Sequence, residues 1–579
     1  MKIKYANIVK VGKAEKRMIR VQFPFDWDLL NFIKTFQGRS FDKDTKDWYI
    51  PLTLPNALAL LKKEFQAGKQ LSAFIQDRKV KQELKLAAPI PAFNNDGKLR
   101  PYQEIGFRFI QKRNGRALIA DEMGLGKTIE AIAWAHAETE ERPLLISVPA
   151  SLKIKWEREV QKWMFGETTQ ILSSQTPYKI SGSIVIINHD IIKYWQKELI
   201  AYGFKGIIID EVHHFRNSSA QRTKALKKIG KVMPNVIGLS GTPFLNRPIE
   251  LFNVINIIDA SVLPNYIVYV TKFCNRHHNG FGWDVNGASN IPELYKLLTS
   301  TLMIRRLKKD VAKDLPDKTY SLVPLPLDNK KEYDAAEADF LNYMGIRVEK
   351  KIDAINREAK EAIAIQTKMD FEALGDVISD STKKQMKQTQ IAKVASAEML
   401  VKLGVMRQLA VAGKMKGAID WVSNFLESGE KLIVFVTHKF VSDQLMQAFP
   451  AAVKVDGSVT GEKRQAVVDA FQSNPKIKLL IGNHRAAGEG IDLTAASNVA
   501  ILEYPDTAAA VDQDIDRVHR IGQNANKVTA WFLFSMDTIE EKLVKRIDDK
   551  RRVTTGTLDG SEMVETSTFI NDLVNAYKN

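Results

Sequence analysis

Cysteine is almost missing from this sequence: Cys274 is the single one among 579 residues. An intrachain disulfide is therefore excluded, and a chain without disulfides suits a reducing compartment. We expect an intracellular protein, located in the cytoplasm of a bacterial or virus-infected cell or in the nucleus of a eukaryote. His277 and His278 follow Cys274 closely, but one cysteine and two adjacent histidines match the usual zinc ligand spacings poorly.

Long apolar segments are also lacking. No run approaches the roughly 20 apolar residues that a membrane-spanning helix needs, and the N-terminus has scattered lysines without the apolar core of a signal peptide. We therefore expect no membrane association. Apolar residues still make up 45% of the chain, which is enough for the cores of about three or four structural units.

Acidic side chains are outnumbered: 68 Asp and Glu residues stand against 84 Lys and Arg residues, for a formal net charge of +16. An excess of this sign suits a polyanionic partner, and nucleic acid is the first candidate. The alternative is that the basic residues serve only solubility. The sequence indicates no protein partner, and we expect a monomer.

The chain divides into four predicted segments. Residues 1–85 combine a strand, a helix near Asp28–Gln37 and an aromatic segment, and a proline-rich stretch follows them. Residues 86–327 and 400–579 alternate short apolar runs with helical periodicity, which is typical of parallel sheets covered by helices. Residues 328–399 are rich in Ala, Lys, Glu and Gln, and the stretch 350–369 indicates a long exposed helix. The predicted class is α/β, with two parallel-sheet halves and a helical protrusion.

Short apolar runs are predicted to form the strands of the two sheets. In the first half these runs are Ala117–Ala120, Leu144–Val148, Ser183–Ile187, Gly206–Asp210 and Val236–Leu239. In the second half they are Leu432–Val436, Lys478–Gly482, Val499–Leu502 and Val528–Phe534.

A phosphate-binding loop is predicted after the first of these runs. Its tip has the order Gly124, Leu125, Gly126, Lys127 and Thr128. Glycines let backbone N–H groups approach phosphates, the lysine reaches the terminal phosphates, and the threonine hydroxyl is placed for Mg²⁺. ATP with Mg²⁺ is the expected ligand. Asp121 stands where the strict pattern has glycine, and the alternative is a glycine-rich turn that only caps a helix.

A pair of carboxylates, Asp210 and Glu211, lies at the end of another apolar run. Ligands of open α/β sheets bind at the carboxyl ends of strands, so both side chains are placed for catalysis. We expect Asp210 to hold Mg²⁺ and Glu211 to orient the attacking water. His213 and His214 could indicate a metal site, but they lack cysteine or acidic partners at metal-ligand spacing. We therefore expect His213 to couple this site to the next segment.

Longer strings resemble the motifs of the Swi/Snf branch of superfamily-two helicases. DEMGLGKT is similar to motif I in its Swi/Snf form, DEVHHFRNSS to motif II, GLSGTPF to motif III, HRAAGEGIDL to motif V and DQDIDRVHRIGQ to motif VI. The resemblance covers nearly all of residues 99–550. It implies two RecA-like lobes and an ATPase that depends on DNA.

The same resemblance implies roles for further residues. It assigns Gln103 to adenine, Gly490 and Asp492 to the nucleotide, and His213, Gln513 and Gln523 to coupling. Arg517 and Arg520 lie three residues apart on a predicted helix, hence on one face. In the family such arginines act as fingers on the nucleotide that the other lobe binds; the alternative is a pair of surface salt bridges. Motif V departs from the family at Ala487 and Asp492, where glycine and asparagine are usual.

Candidate contacts to the DNA backbone also come from the resemblance. They are Lys153, Asn188, Thr242, Thr437 and Arg485. Each of them has the alternative of an ordinary cap or a solvated side chain. Backbone contacts position a protein without reading bases, so we expect little sequence specificity.

Two segments narrow the family further. The strings FGWD and GASN before RRLKKDV resemble HARP-type annealing helicases, and residues 23–52 resemble a HARP domain. This implies an accessory domain that senses DNA structure and a motor that re-anneals or remodels double-stranded or branched DNA. Trp27 and Trp48 are candidate stacking platforms for bases, although a small aromatic core is the favoured interpretation.

Two other functions remain open at this point. One is a strand-separating DNA or RNA helicase. The other is a non-catalytic nucleic-acid scaffold, which would be expected to have lost the loop lysine, the acid pair or the arginines, and the sequence retains all of them.

Overall fold

The computed structural model describes residues 4–12, 15–36, 38–90, 92–93, 97–164, 166–241, 248–278, 282–340, 376–459, 461–487, 490–505 and 508–544. For residues 376–400 it describes the helical backbone only. The chain divides into two units, one ending at Leu315 and the other beginning at Pro316. Within the described part of the chain, every helix is too short or too polar to cross a bilayer.

The first unit opens with a small mixed α/β domain. Its five strands have the order β3-β4-β2-β1-β5. They are β1 (Tyr5–Val11), β2 (Lys16–Gln22), β3 (Ser40–Phe41), β4 (Trp48–Pro51) and β5 (Gln66–Ala67), with helices α1 (Trp27–Thr35), α2 (Leu54–Lys62) and α3 (Lys69–Ala87). The Asp26 side chain caps α1 by accepting a hydrogen bond from the Leu29 N–H at 2.8 Å.

The aromatic side chains of this domain separate into a buried and an exposed group. Trp48 is half-buried against the domain core, whereas Trp27 is 65% exposed and packs edge-on against Phe25 at 5.3 Å between ring centroids. The interpretation of Trp27 as a core residue is therefore wrong, because α1 buries its opposite face through Leu29 and Ile33. Helix α3 also continues past residue 85, where the sequence predicted the domain boundary.

A seven-stranded sheet forms the body of the first unit, with the order β14-β6-β11-β10-β7-β9-β8 and every neighbouring pair parallel. Its strands are β6 (Arg116–Ile119), β7 (Leu144–Val148), β8 (Thr169–Leu172), β9 (Ile184–Asn188), β10 (Gly206–Ile209), β11 (Asn235–Leu239) and β14 (Met303–Ile304). The five strands predicted here are confirmed to within one residue at each end. The sequence missed β8 and β14, which are short strands at the edges of the sheet.

Helices cover both faces of this sheet, so its central strands are buried throughout. They are α4 (Pro101–Lys112), α5 (Lys127–Ala137), α6 (Lys153–Trp163), α7 (Gln196–Tyr202), α8 (Gln221–Val232), α9 (Pro248–Asp259), α10 (Tyr266–Phe273), α11 (Ile291–Thr301) and α12 (Lys308–Val311). Two 3₁₀ turns, Ala150–Leu152 and Val212–Phe215, and a small hairpin of β12 (His277–His278) and β13 (Trp283–Asp284) complete the unit.

The second unit contains a six-stranded parallel sheet with the order β15-β20-β19-β16-β18-β17. Its strands are β15 (Asp317–Leu325), β16 (Leu432–Val436), β17 (Val453–Val455), β18 (Leu479–Asn483), β19 (Asn498–Ile501) and β20 (Lys527–Ser535). Its helices are α13 (Asp376–Leu426), α14 (Lys439–Ala448), α15 (Gly461–Ser473), α16 (His484–Ala487) and α17 (Ala508–Ile515), and residues 330–340 and 539–544 are also helical. All four strands predicted for this half are confirmed.

The structure differs from the predicted segment boundaries at both ends of the protrusion. Strand β15, which the sequence placed in the first half, pairs with β20 along its whole length and belongs to the second sheet. Helix α13 runs through the predicted boundary at residue 399 and continues onto the second sheet, where Met406, Ala410 and Val422 are buried. The predicted exposed helix at 350–369 lies outside the described residues, as do all residues from 341 to 375.

Candidate nucleotide site

The phosphate-binding loop connects β6 to α5 and depends on two glycines with positive φ. Gly124 has φ +85° and Gly126 has φ +86°, conformations that other residues rarely adopt. A Cβ atom at Gly126 would lie 2.4 Å from the Gln103 side-chain nitrogen. Glycine is therefore required at Gly126 by both backbone conformation and space.

Two side chains from α4 hold the tip of this loop. The Gln103 amide donates to the backbone oxygen of Leu125 at 3.0 Å, and the Tyr102 hydroxyl donates to the same oxygen at 2.9 Å. Gln103 is 3% exposed, and its own side-chain oxygen accepts from the Arg100 N–H at 2.9 Å. The residue that the resemblance assigned to adenine thus lies directly against the phosphate-binding loop.

Lys127 and Thr128 occupy the first turn of α5. The Lys127 ammonium donates to the backbone oxygen of Asp121 at 2.9 Å and so stays folded over the loop. Thr128 is half-buried beside it. A helix N-terminus and an ammonium group together make this position electropositive, which suits phosphate.

A buried ion-pair network explains the aspartate at position 121. Asp121 and Glu130 are both fully buried, and the Arg306 guanidinium pairs with both carboxylates, contacting each Glu130 oxygen at 2.8 Å. The Arg306 backbone N–H also donates to Asp121 at 2.9 Å. Burial and the Asp121 charge raise the pKa of Glu130 well above its usual value. The network fastens the segment after β14 to the start of the phosphate-binding loop.

Asp210 lies immediately after β10 and is oriented by a tryptophan. The Trp156 indole N–H on α6 donates to one Asp210 carboxylate oxygen at 2.8 Å, and the Glu211 N–H donates to the other at 3.0 Å. Burial, followed by the Glu211 charge, raises the pKa of Asp210 to about 6, while the Lys127 ammonium acts in the opposite direction. No local pattern pointed to Trp156, which lies 54 residues before its partner.

Glu211 and His213 lead from the carboxylate pair to the next motif. Glu211 has φ +44°, an uncommon conformation for a residue with a side chain. The His213 ring nitrogen lies 3.2 Å from the Glu211 carboxylate and 3.0 Å from the hydroxyl of Ser240, a residue of the predicted motif III. This geometry supplies the physical link that the coupling role of His213 requires.

A histidine that the sequence analysis did not single out lies beneath this site. His189 is 2% exposed, and its Nε2 lies 2.9 Å from the backbone oxygen of Asp210 while its Nδ1 lies 2.8 Å from the Ser147 hydroxyl. A carbonyl can only accept, so Nε2 carries the proton and Nδ1 accepts from Ser147. Burial and the neighbouring His214 lower the pKa of His189 well below its usual value, which keeps it neutral.

The prediction that Arg517 and Arg520 share a helix face is wrong. Helix α17 ends at Ile515, and both arginines lie in the turns that follow. The Leu493 N–H donates to the backbone oxygen of Arg517 at 3.0 Å, so that oxygen is engaged by another segment instead of continuing the helix. Arg517 is 8% exposed.

Arg520 and Asp492 form an ion pair within the second unit. Motif V therefore supplies a carboxylate to the second arginine of motif VI at the position where the family usually has asparagine. Gly490, with φ +73°, precedes this pair. Among the coupling candidates, Gln523 donates to the Ala496 backbone oxygen at 2.7 Å, and Gln513 is half-buried on α17.

A second network joins the carboxyl ends of β16, β18 and β19 in this unit. The Glu503 carboxylate accepts from the Thr437 and His438 N–H groups at 2.6 and 2.8 Å. His484 donates through Nε2 to the Glu503 backbone oxygen at 2.7 Å and through Nδ1 to Asp514 at 2.5 Å. The Asp514 charge outweighs burial and raises the pKa of His484. Sequence reasoning did not single out any of these three acid and histidine side chains.

The structure places the candidate DNA contacts unevenly. Thr437 is exposed, Lys153 is half-buried with its ammonium 3.4 Å from the Leu172 backbone oxygen, and Asn188 is only 7% exposed at the end of β9. Burial lowers the pKa of Lys153. Thr242 lies outside the described residues, as does the Arg485 side chain, although the backbone of Arg485 belongs to α16.

Comparison with family models identifies two matched regions. Residues 102–379 match the SNF2-related domain, and residues 417–522 match the Helicase conserved C-terminal domain. The chain therefore belongs to the Swi/Snf-related proteins, and the predicted membership is confirmed.

Curated relatives include annealing helicases. The chain is 32% identical over 482 residues to the DNA annealing helicase and endonuclease ZRANB3 of Homo sapiens, covering 80% of this chain and 40% of that protein. It is 30% identical over 465 residues to the SWI/SNF-related matrix-associated actin-dependent regulator of chromatin subfamily A-like protein 1 of Xenopus laevis, covering 79% of this chain and 44% of that protein. The homolog of the latter protein in Caenorhabditis elegans is 27% identical to this chain over 559 residues, covering 92% of this chain and 73% of that protein. The chain thus spans about two fifths of the length of the first relatives.

Proposed function

We propose that this chain is an ATPase that depends on DNA, moves along double-stranded or branched DNA, and re-anneals or remodels it. The observation that carries the proposal is the grouping of Lys127, Asp210 and Glu211 at the carboxyl edge of one parallel sheet. Strands β6 and β10 are separated only by β11, so the phosphate-binding loop and the carboxylate pair leave the same edge. The electrostatic effect of Lys127 on Asp210 supports their closeness.

The residues present fit a nucleotide triphosphate with Mg²⁺. Gly126 lets the loop backbone lie against Gln103, where a Cβ atom would come within 2.4 Å of the side-chain nitrogen, and Lys127 supplies a cation for phosphate. Asp210, whose pKa is raised to about 6 by burial and by Glu211, is a carboxylate that a divalent cation would strongly favour in its ionised form. We propose Thr128 and Asp210 as the residues that hold Mg²⁺, which supplies charge neutralisation at the phosphates.

The chain's own residues define the rest of the proposed mechanism. Glu211 orients the water that attacks the terminal phosphate, and the Trp156 indole keeps Asp210 in place. His213 links the acid pair to Ser240 and so to the segment after β11. Arg517 and Arg520 are the cations that we propose the second unit contributes to hydrolysis, with Arg520 released from Asp492 when it engages phosphate.

The known activity of one relative supports the DNA part of the proposal, since that relative is named as a DNA annealing helicase. This chain is 32% identical over 482 residues to that protein, which is named as a DNA annealing helicase and endonuclease. The exposed Phe25 and Trp27 rings of the N-terminal domain offer apolar faces on which bases can stack. We propose residues 1–85 as the element that selects branched DNA, with Lys153, Asn188, Thr242, Thr437 and Arg485 as backbone contacts.

The test is the Lys127→Ala variant in the full chain. We expect ATP hydrolysis to fall to background while the affinity for duplex DNA changes less than twofold, because Lys127 contacts phosphate of the nucleotide and not of DNA. The matched control is Lys98→Ala, an exposed lysine of the same unit, which should leave both properties unchanged. Hydrolysis that survives in Lys127→Ala would contradict the site assignment.

A substrate panel separates the proposed function from its alternatives. ATPase rates with duplex DNA, forked DNA, single strands and RNA are compared, and a forked duplex with a partly unpaired stem reports re-annealing. Stimulation by duplex and forked DNA with re-annealing supports the proposal. Stimulation by RNA or single strands with net strand separation would favour a helicase instead.

A further inference from the structure

A groove lined by five lysines lies on the flank of the first unit. It has a volume of about 350 Å³, and its walls include Lys193, Gln196, Lys224, Lys227, Lys228 and Lys231. None of these residues belongs to the nucleotide site or to the DNA contacts that the resemblance supplied.

Helix α8 builds most of the groove because its lysines recur at helical spacing. Lys224, Lys227, Lys228 and Lys231 follow one another at intervals of three, one and three residues, which places them on one face. The opposite face carries Leu226 and Ile229, both fully buried in the core. The sequence of α8, QRTKALKKIGKV, contains no acidic residue at all.

The charge in this groove is uncompensated within the described part of the chain. No carboxylate there lies within ion-pair distance of the five lysines; the nearby ion pair joins Arg222 to Asp190 at 2.7 Å. Like charges four residues apart on a helix repel each other, and Lys224 with Lys228 and Lys227 with Lys231 are two such pairs. Burial and the Lys231 charge lower the pKa of Lys227. A polyanion in the groove would offset this repulsion.

The spacing of the lysines suits a phosphate backbone. From Lys224 to Lys231 the helix advances about 10 Å, which is roughly three times the 3.4 Å axial spacing of charges along one DNA strand. The groove begins beside Lys193, which follows β9 and the candidate DNA contact Asn188, and α8 begins after β10. It therefore extends from the carboxyl edge of this sheet, where Asn188 and Lys153 also lie, towards the opposite edge.

We propose that this lysine groove binds the phosphate backbone of DNA as a second contact surface of the first unit. The proposal rests on the proposed function, since it adds a surface to the DNA on which the ATPase acts. The occupant is one strand of the backbone, and a double strand or a single strand can present it. Contacts to phosphates carry no sequence information, so we expect the groove to bind DNA of any sequence.

The test neutralises the helix face in the full chain with the variant Lys224→Gln, Lys227→Gln, Lys228→Gln and Lys231→Gln. The control removes the same charge from exposed lysines of the second unit, with Lys331→Gln, Lys463→Gln, Lys476→Gln and Lys527→Gln. Dissociation constants for duplex and single-stranded DNA are measured from 50 to 300 mM salt, and the ATPase rate is measured without DNA. Three of the four lysines are exposed and only Lys227 is half-buried, and the variant removes repulsion between like charges, so it should unfold at the same temperature as the parent or slightly above it.

Each phosphate that a protein neutralises adds about 0.9 to the slope of log affinity against log salt concentration. Because the groove variant lacks four lysines, we expect its slope for duplex DNA to become shallower by about 3 to 4. Affinity at 100 mM salt should fall on the order of ten- to a hundredfold, and the ATPase rate without DNA should not change. An unchanged slope, or an equal change in the control, would overturn the groove proposal. So would a groove variant that binds DNA normally but loses binding to polyglutamate, since the partner would then be an acidic protein segment.

The two proposals fail in different ways. If the parent chain shows no ATPase stimulation by any DNA, the proposed function fails and the groove with it. If the parent is stimulated by DNA and the groove variant keeps the parental slope, only the groove proposal fails.

Discussion

The buried network of Asp121, Glu130 and Arg306 predicts how strongly the first unit depends on a single arginine. Both carboxylates are fully buried, and the Arg306 side chain is only 11% exposed. Replacing Arg306 by Gln leaves two buried acids without their cation. Removing one partner of a buried pair costs about 3 to 5 kcal/mol.

Proton linkage gives an independent magnitude for the same variant. The Arg306 charge and hydrogen bond oppose the rise in the pKa of Glu130. Without Arg306, one carboxyl is therefore expected to take up a proton in the folded state, whereas in the unfolded state it is ionised at pH 7. Protonating a glutamate whose usual pKa is 4.5 costs about 1.4 kcal/mol for each pH unit above that pKa. At pH 7 the free energy of unfolding should therefore fall by roughly 3 kcal/mol. The folded state then binds the extra proton, so the destabilisation should shrink as the pH is lowered towards 5.

Urea denaturation at pH 7 and pH 5.5, followed by tryptophan fluorescence, measures both effects. With a slope of about 3 kcal/mol per molar urea, Arg306→Gln should lower the midpoint of the first transition by about 1 to 1.7 M at pH 7. Glu130→Gln is the matched control, because it removes one buried charge and keeps an oxygen that accepts from Arg306; it should change stability by less than about 1 kcal/mol.

The double variant Arg306→Gln with Glu130→Gln completes the cycle. It should be more stable than Arg306→Gln alone, because only one unpaired buried acid remains. The reasoning is refuted if Arg306→Gln loses less than about 1 kcal/mol at pH 7, or if its deficit is the same at both pH values.

Two further predictions concern the carboxylate site. Trp156→Phe keeps a buried aromatic ring but removes the indole hydrogen bond to Asp210. Because that bond lowers the pKa of Asp210, the acid limb of the ATPase pH profile should move to higher pH and the rate at pH 7 should fall about tenfold. An acid limb that does not move would contradict this role of Trp156. His189 has a folded-state pKa well below its usual value, so the unfolded state binds the proton first and the first unit should lose stability as the pH falls below about 6.5. Thermal unfolding from pH 8 to pH 5 should show this loss, and His189→Gln should be flatter over the same range if the titration of His189 is its cause.

Two networks connect motif segments that are far apart in the chain. In the first unit, Ser147 lies in β7, His189 follows β9 and Asp210 follows β10, and the three are hydrogen-bonded in a row. In the second unit, His484 joins Asp514 to Glu503, which holds the Thr437 backbone. Each network thus connects neighbouring loops at the carboxyl edge of its own sheet by hydrogen bonds.

The sequence by itself determined the elements whose signals are local. Nine strands were recognisable as short apolar runs, because a strand buried on both faces by helices is apolar throughout. The phosphate-binding loop and the acid pair were recognisable for a similar reason: glycine, lysine and carboxylates at fixed spacing are all the chemistry that the loop needs, and they lie within a few residues of one another.

Tertiary structure alone decided the features that depend on distant partners. Asp121 was a departure from a pattern until Arg306, 185 residues later, was found beside it. Helix α17 was predicted to extend to Arg520, but the Leu493 N–H engages the Arg517 oxygen, and no local spacing encodes that competition. Strand β15 belongs to the second sheet because it pairs with β20. That partner lies about two hundred residues further along the chain, so no local pattern could predict the pairing. Contacts of this kind depend on which surfaces meet when the chain folds. The local sequence around either partner therefore does not predict them.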